Sequence, residues 1–118
     1  LLDTRTATLN FEFFSTSLCF VGHTHLPVIY SLLNENNLAR LNIPEANSVI
    51  NLPVRAIINP GSVGQPRDRD PRAAYAIYDK ESNTWDYRRA EYDIVAVQKR
   101  MEAVGLPQRH VDRLTAGW

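Results

Sequence analysis

Apolar and polar positions alternate in short blocks along most of the chain, and the blocks change period near the end. Leu18-Cys19-Phe20-Val21 is a brief apolar run between Ser17 and Gly22, with the length and the Phe and Val content of a buried strand. Val28-Ile29-Tyr30, directly after Pro27, is a second β-rich run, so His23 to Pro27 forms the turn between two strands. Asn34 to Asn47 is polar and irregular, with clustered asparagines and Pro44, and predicts a surface excursion holding at most one short strand. Ser48 to Leu52 and Arg55 to Ile58 are two further strand patterns split by Pro53. In Asn59-Pro60-Gly61-Ser62, proline at the second position and glycine at the third predict a type II turn, with Gly61 at positive φ.

Gln65 to Arg72 is a polar loop, and Ala73 to Tyr78 is a strand whose small and aromatic positions predict cover on both faces. Asp79 to Asn83 is a turn. Thr84 to Arg89 then alternates, with Trp85 and Tyr87 on one face and Asp86 and Arg88 on the other, so these two strands predict a hairpin. From there the period becomes helical. Ile94, Val97, Met101 and Val104 form one stripe, Asp93 is a suitable N-cap, and Gly105 followed by Pro107 is a stop. A second short helix, Gln108 to Ala116, ends near Gly117. Many short strands followed by helices predict a mixed α/β layered fold.

Composition narrows the function classes. The chain has 118 residues, the size of one small domain, with 13 basic and 13 acidic side chains. That balance argues against a long phosphate-tracking surface, so a nucleic-acid partner is not expected. The single cysteine, Cys19, excludes an internal disulfide and reads as a small buried thiol. No segment is apolar enough to span a bilayer or serve as a signal core, which predicts a cytoplasmic protein with no membrane partner. The only methionine is Met101, so Leu1-Leu2-Asp3 reads as the middle of a longer chain.

The candidate chemistry centres on Gly22-His23-Thr24-His25 at a strand exit. Side chains two apart in an extended segment share a face, and neutral imidazole is a common ligand for transition metals. Gly22 removes a Cβ where backbone and metal would crowd. Two solvated loop histidines remain the plain alternative, because a metal site needs at least three or four protein ligands. His110 lies on the last helix, and no second ligand cluster is present. The Asn59 to Gly64 turn could offer backbone N–H groups to an anion, or be only a turn. Arg67, Arg69 and Arg72 suit phosphate, yet their alternation with Asp68 and Asp70 also describes a solvated loop. Tyr75, Tyr78, Trp85 and Tyr87 could stack bases, but a hairpin core explains them better.

Taken together, Val21-Gly22-His23-Thr24-His25-Leu26-Pro27, Ile58 to Asp68 and Pro71-Arg72-Ala73-Ala74-Tyr75 closely resemble the C-terminal half of calcineurin-like metallophosphoesterases. The subgroup resembled is the small bacterial phosphodiesterases called diadenosine-tetraphosphatase-like, whose closing helices are matched by Glu91-Tyr92-Asp93, Gly105-Leu106-Pro107 and Arg113-Leu114. The family fold is a two-sheet sandwich flanked by helices, with metals held in loops at strand ends. Of the family motifs D-x-H, G-D-x-x-D, G-N-H-[DE] and G-H-x-H, only the last occurs here. The resemblance therefore implies that residues 1–118 are the C-terminal portion of one such domain, with the N-terminal half as its missing partner.

It also implies that His23 ligates one metal and His25 the other, in a two-metal site with ions ~3.5–4 Å apart. Thr24 shapes the loop, and Asn59, Gly61, Ser62 and Arg67 become candidates for phosphate contact. The implied cofactors are two divalent transition metal ions, manganese first, with iron, zinc or nickel as alternatives. The implied activity is hydrolysis of a small phosphoester by metal-bound hydroxide, with little or no activity in the isolated chain. Alternatives are a non-catalytic scaffold of the same fold that mediates protein interactions and, more weakly, a nucleotide-binding module.

Overall fold

A computed structural model describes residues 3–34 and 38–118. Part of the polar excursion expected after Asn34 lies outside the described residues. The chain opens with helix α1 (Thr4–Asn10), which the hydrophobic pattern does not announce because three threonines dilute it. Its start is nonetheless written in the sequence. Asp3 is the N-cap, its side chain accepting from the Thr6 amide at 2.7 Å. Ala7 and Phe11, four apart, are both buried, Phe11 in a short 3-10 turn that follows the helix.

Among the described residues seven strands follow: β1 (Leu18–Phe20), β2 (Pro27–Ser31), β3 (Arg40–Asn42), β4 (Ser48–Asn51), β5 (Ala56–Pro60), β6 (Ala73–Asp79) and β7 (Thr84–Ala90). They form two sheets, ordered β1-β5-β2-β3 and β4-β7-β6. β1 runs parallel to β5, pairing Leu18 with Ala56 and Phe20 with Ile58, while β2 runs antiparallel to β5. β5 is apolar at consecutive positions because both faces are covered. Ala56 and Ile58 face the core between the sheets with Ile29, Ala74, Trp85 and Tyr87. Ile57 faces a second core with Val28, Tyr30, Ala7 and Phe11, under α1. The result is a two-sheet sandwich with helices outside, which is the layered α/β arrangement the pattern of elements predicts and the two-sheet form the family resemblance implies.

The hairpin forms with seven paired positions, from Ala73 with Ala90 to Asp79 with Thr84. Trp85 and Tyr87 point inward, and Asp86 and Arg88 point outward as a 2.6 Å ion pair. The expected cover of β6 on two faces is corrected. β6 is a sheet edge, and Tyr75 and Ile77 stand exposed on its outer face. Cys19 is only partly buried, packed against the second core rather than sealed within it.

The closing helices are α2 (Ile94–Ala103) and α3 (Gln108–Ala116). Asp93 caps α2 by accepting from the Ala96 amide, and Gly105 stops it at φ 73°. The apolar stripe of α2 is only half covered and Val104 is exposed, since α2 leans chiefly on α3. α3 carries the anchor, burying Val111 and Leu114. Among the described residues no helix is long and apolar enough to cross a membrane.

Candidate active site

The parallel strands β1 and β5 end at the same edge of the sandwich, and the site is built there. Val21 extends β1 by donating its amide to the Ile58 carbonyl at 2.9 Å. The chain then turns back into β2 through residues 22–26. His23 and His25 do not lie in an extended segment. Both take left-handed backbone, with φ 76° and φ 62°. For residues other than glycine this conformation costs about 1–2 kcal/mol each, a strain that persists only where surrounding structure holds it. The shared-face argument from strand geometry is therefore corrected: a tight turn, closed by the Thr24 amide on the Gly22 carbonyl at 3.0 Å, presents these imidazoles. At Gly22 an added Cβ would meet nothing within 4 Å, so no protein atom demands glycine there.

Asn59 holds the loop in this state. Its side chain is buried, and Nδ2 donates to the Gly22 carbonyl at 3.1 Å and to Thr24 Oγ1 at 2.9 Å. Its Oδ1 accepts from the Gly61 amide at 3.0 Å. This one side chain spends both donor hydrogens and an acceptor on joining two loops. Asn59 Nδ2 and the Gly61 amide are thus engaged within the protein, where they join the two loops. Gly61 does take the expected positive φ, 88°, and packs so closely that a Cβ would lie 3.0 Å from Ala74 Cβ. The turn begins on β5 itself, where Pro60 is still paired with Pro27.

His25 is oriented by a contact the sequence reading did not identify. Its Nδ1 lies 2.7 Å from the Gln65 carbonyl oxygen. A carbonyl only accepts, so Nδ1 carries the proton and Nε2 keeps its lone pair for a metal. His23 is exposed beside it. Ser62 is half-buried, and its Oγ accepts from the Gln65 amide at 3.0 Å, which leaves its own proton to donate. Arg67 is exposed and touches Gln65 Oε1 at 3.2 Å. Among the four phosphate candidates, Ser62 and Arg67 are the two whose side chains retain donors.

The Arg67 to Arg72 loop is more than a solvated run. Arg89 falls on the inward side of the β7 alternation, after Trp85 and Tyr87, and its side chain is 2 % exposed. It pairs with Asp68, approaches Asp70 at 3.7 Å and donates to the Asp70 and Arg72 carbonyls. Arg72 completes the group with a 2.6 Å contact to Asp70. The hydrogen bond from Arg72, reinforced by the Arg89 charge, holds the Asp70 carboxyl below the usual aspartate range. Arg72 is therefore spoken for, and the signal for Arg89 was its inward parity, which demands a carboxylate partner. Arg69 joins the same region to α3, donating its amide to the Gly117 carbonyl at 2.8 Å.

His23 and His25 are not joined by Cys19 or His110. Among the described residues no group of three or more His, Cys, Asp or Glu side chains gathers to hold a metal ion. The donor set of the loop, one oriented imidazole and one exposed imidazole, fits part of a transition-metal site.

The fold has counterparts among known proteins. No model of a protein family matches the chain. An uncharacterized protein of Methanocaldococcus jannaschii is 37% identical over 100 residues, covering 85% of this chain and 39% of that protein. The crystal structure of a metallophosphoesterase from Sphaerobacter thermophilus superposes with a TM-score of 0.88 at 44% identity, over 100% of this chain and 50% of that one. A hypothetical protein from Pyrococcus horikoshii shares the fold, with a TM-score of 0.62 at 18% identity over 97% of this chain and 36% of its own. The chain spans half or less of the length of each.

Proposed function

We propose that this chain, which superposes over its whole length on half of a metallophosphoesterase, provides the last histidine pair of a phosphoester hydrolase. The observation that carries this reading is the Nδ1–H of His25 spent on the Gln65 carbonyl, which leaves Nε2 available on a strained loop beside His23. His23 and His25 would hold one ion each of a divalent transition-metal pair, manganese first, with iron, zinc or nickel as alternatives. The remaining ligands come from outside the described residues. Such ions supply Lewis acidity at phosphorus and make water acidic enough to attack near neutral pH.

The chain's own residues set the geometry for that chemistry. Asn59 fixes the turn that carries both imidazoles, and Gln65 fixes the ring of His25. The Ser62 hydroxyl and the Arg67 guanidinium keep donors for phosphoryl oxygens. The fold similarity to a metallophosphoesterase supports hydrolysis, and a cytoplasmic enzyme acting on a small phosphoester is the reading we adopt.

The test is manganese-dependent hydrolysis of mono- and bis-p-nitrophenyl phosphate. A longer protein that includes the upstream ligands should turn over, and His23→Ala in it should abolish turnover with an unchanged circular dichroism spectrum. The 118-residue chain alone should be inactive. Survival of activity in His23→Ala, or substantial turnover by the short chain, would remove the assignment.

A further inference from the structure

The acceptor that orients His25 is a backbone group, and its support comes from a distant strand. The Gln65 carbonyl, 2.7 Å from His25 Nδ1, belongs to the Gln65–Pro66 peptide bond. Proline restricts the residue before it to extended backbone, which limits the directions this carbonyl can take. The Pro66 side chain is fully buried. On its other side Gln65 is tied through its amide to Ser62 Oγ at 3.0 Å. The carbonyl is therefore aimed by the path of the loop.

The next stretch of chain holds that path. Arg69 takes left-handed backbone at φ 68°, a strained state for arginine that surrounding contacts must maintain. Arg89, on β7 and 2% exposed, reaches this stretch from across the sheet. Its guanidinium pairs with the Asp68 carboxylate and donates to the Asp70 carbonyl at 3.3 Å and the Arg72 carbonyl at 3.0 Å. It also packs against Tyr87, 5.5 Å from the ring centroid. Asp68 Oδ1 is buried without a hydrogen-bond partner among the described residues, so the Asp68 carboxylate depends on Arg89. Three alternate residues of the loop thus hang on one side chain, and only Pro66 and Arg67 separate the first of them from Gln65. A buried ion pair gains little over a well-packed apolar replacement, so the geometry it imposes is the more telling property.

We propose that Arg89 is a positioning residue for His25. By pinning residues 68–72 it keeps the Gln65 carbonyl on Nδ1, so that Nε2 is the nitrogen left for a metal. This role rests on the hydrolase reading of the histidine loop and names the residue that sets one of its ligands. His23 supplies a control within the molecule, because it is exposed and its ring makes no hydrogen bond among the described residues.

The test reads the two rings directly. It uses the longer protein that includes the upstream ligands, stripped with EDTA and held at about pH 8, where a histidine with the ordinary pKa of about 6.5 is neutral. Nitrogen NMR of isotopically labelled histidine then distinguishes Nδ1–H from Nε2–H. In the parent, His25 is expected in the Nδ1–H form. Arg89→Lys keeps the charge but loses the planar fork, and Asp68→Asn keeps the shape but loses the charge. Each should move His25 to a mixture of both tautomers and leave the His23 signals in place. Each should also weaken manganese binding, measured by calorimetry, about 10-fold, with an unchanged circular dichroism spectrum. Arg88→Met, which breaks only the outward pair with Asp86 on the same strand, should alter neither reading. If Arg89→Lys fails to fold, Asp68→Asn decides, since its side chain is 23% exposed. An unaltered His25 tautomer in the folded variants, equal shifts of His23 and His25, or unchanged manganese affinity would overturn the role of Arg89. A His25 response in a protein that turns over no ester would overturn the hydrolase reading and keep that role. Ester turnover with no His25 response would do the reverse.

Discussion

Replacing Asn59 with alanine should undo the joint on which the histidine loop depends. The side chain is 2% exposed and makes three hydrogen bonds, to the Gly22 carbonyl, Thr24 Oγ1 and the Gly61 amide. A net ~1 kcal/mol for each bond places the loss near 3 kcal/mol. For a chain of 118 residues the unfolding entropy is about 0.25 kcal/mol per kelvin, so Tm should fall by about 12 °C. Differential scanning calorimetry reads this directly. Thr24→Val, which keeps the shape but removes one acceptor, should cost ~1 kcal/mol alone and almost nothing in the Asn59→Ala background. A Tm drop under about 3 °C for Asn59→Ala, or additive losses in the double variant, would refute the claim that this side chain sets the loop.

Three further outcomes follow from the same geometry. His23→Gly should melt above His23→Ala by an increment worth about 1 kcal/mol, because the left-handed φ of 76° suits glycine and strains alanine; equal melting temperatures would show that the loop relaxes. Gly117→Ala should destabilise by at least ~1–2 kcal/mol through its positive φ and its contact with Asp70, while Gly22→Ala should lie within about 0.5 kcal/mol of the parent, as denaturant titration would report. Asp70 carries a lowered carboxyl pKa from its Arg72 bond, so its stabilising contribution is complete above the ordinary aspartate value of about 3.9 and fades as pH falls through the lowered one. Asp70→Asn should therefore flatten the acid limb of stability against pH in that window, and an unchanged limb would place the acid sensitivity elsewhere.

The alternation in Thr84 to Arg89, the apolar runs of β2 and β5 and the capped stripe of α2 were legible because each follows from the period of its own element. So was the turn at Gly61, where local stereochemistry leaves little choice. α1 was not, since its helix rests on burial of Ala7 and Phe11 against β2 and β5 rather than on propensity. Cover of β6 was misread because small and aromatic residues suit an open face as well as a closed one.

At the candidate site the division is sharper. The sequence by itself determined that two imidazoles stand at a strand exit, that an asparagine-glycine turn follows on the next central strand, and that three arginines trail behind it. It could not distribute their roles. Asn59 becomes a strut because β5 carries it beneath the 22–25 loop, where all its polar hydrogens are consumed. Arg72 is claimed by Asp70, while Arg67 and Arg113, far apart in the chain, meet across one cavity. Hydrogen-bonding capacity belongs to the residue type and can be read from one letter. What remains of that capacity after folding depends on neighbours brought from elsewhere in the chain, and only the tertiary structure supplies them.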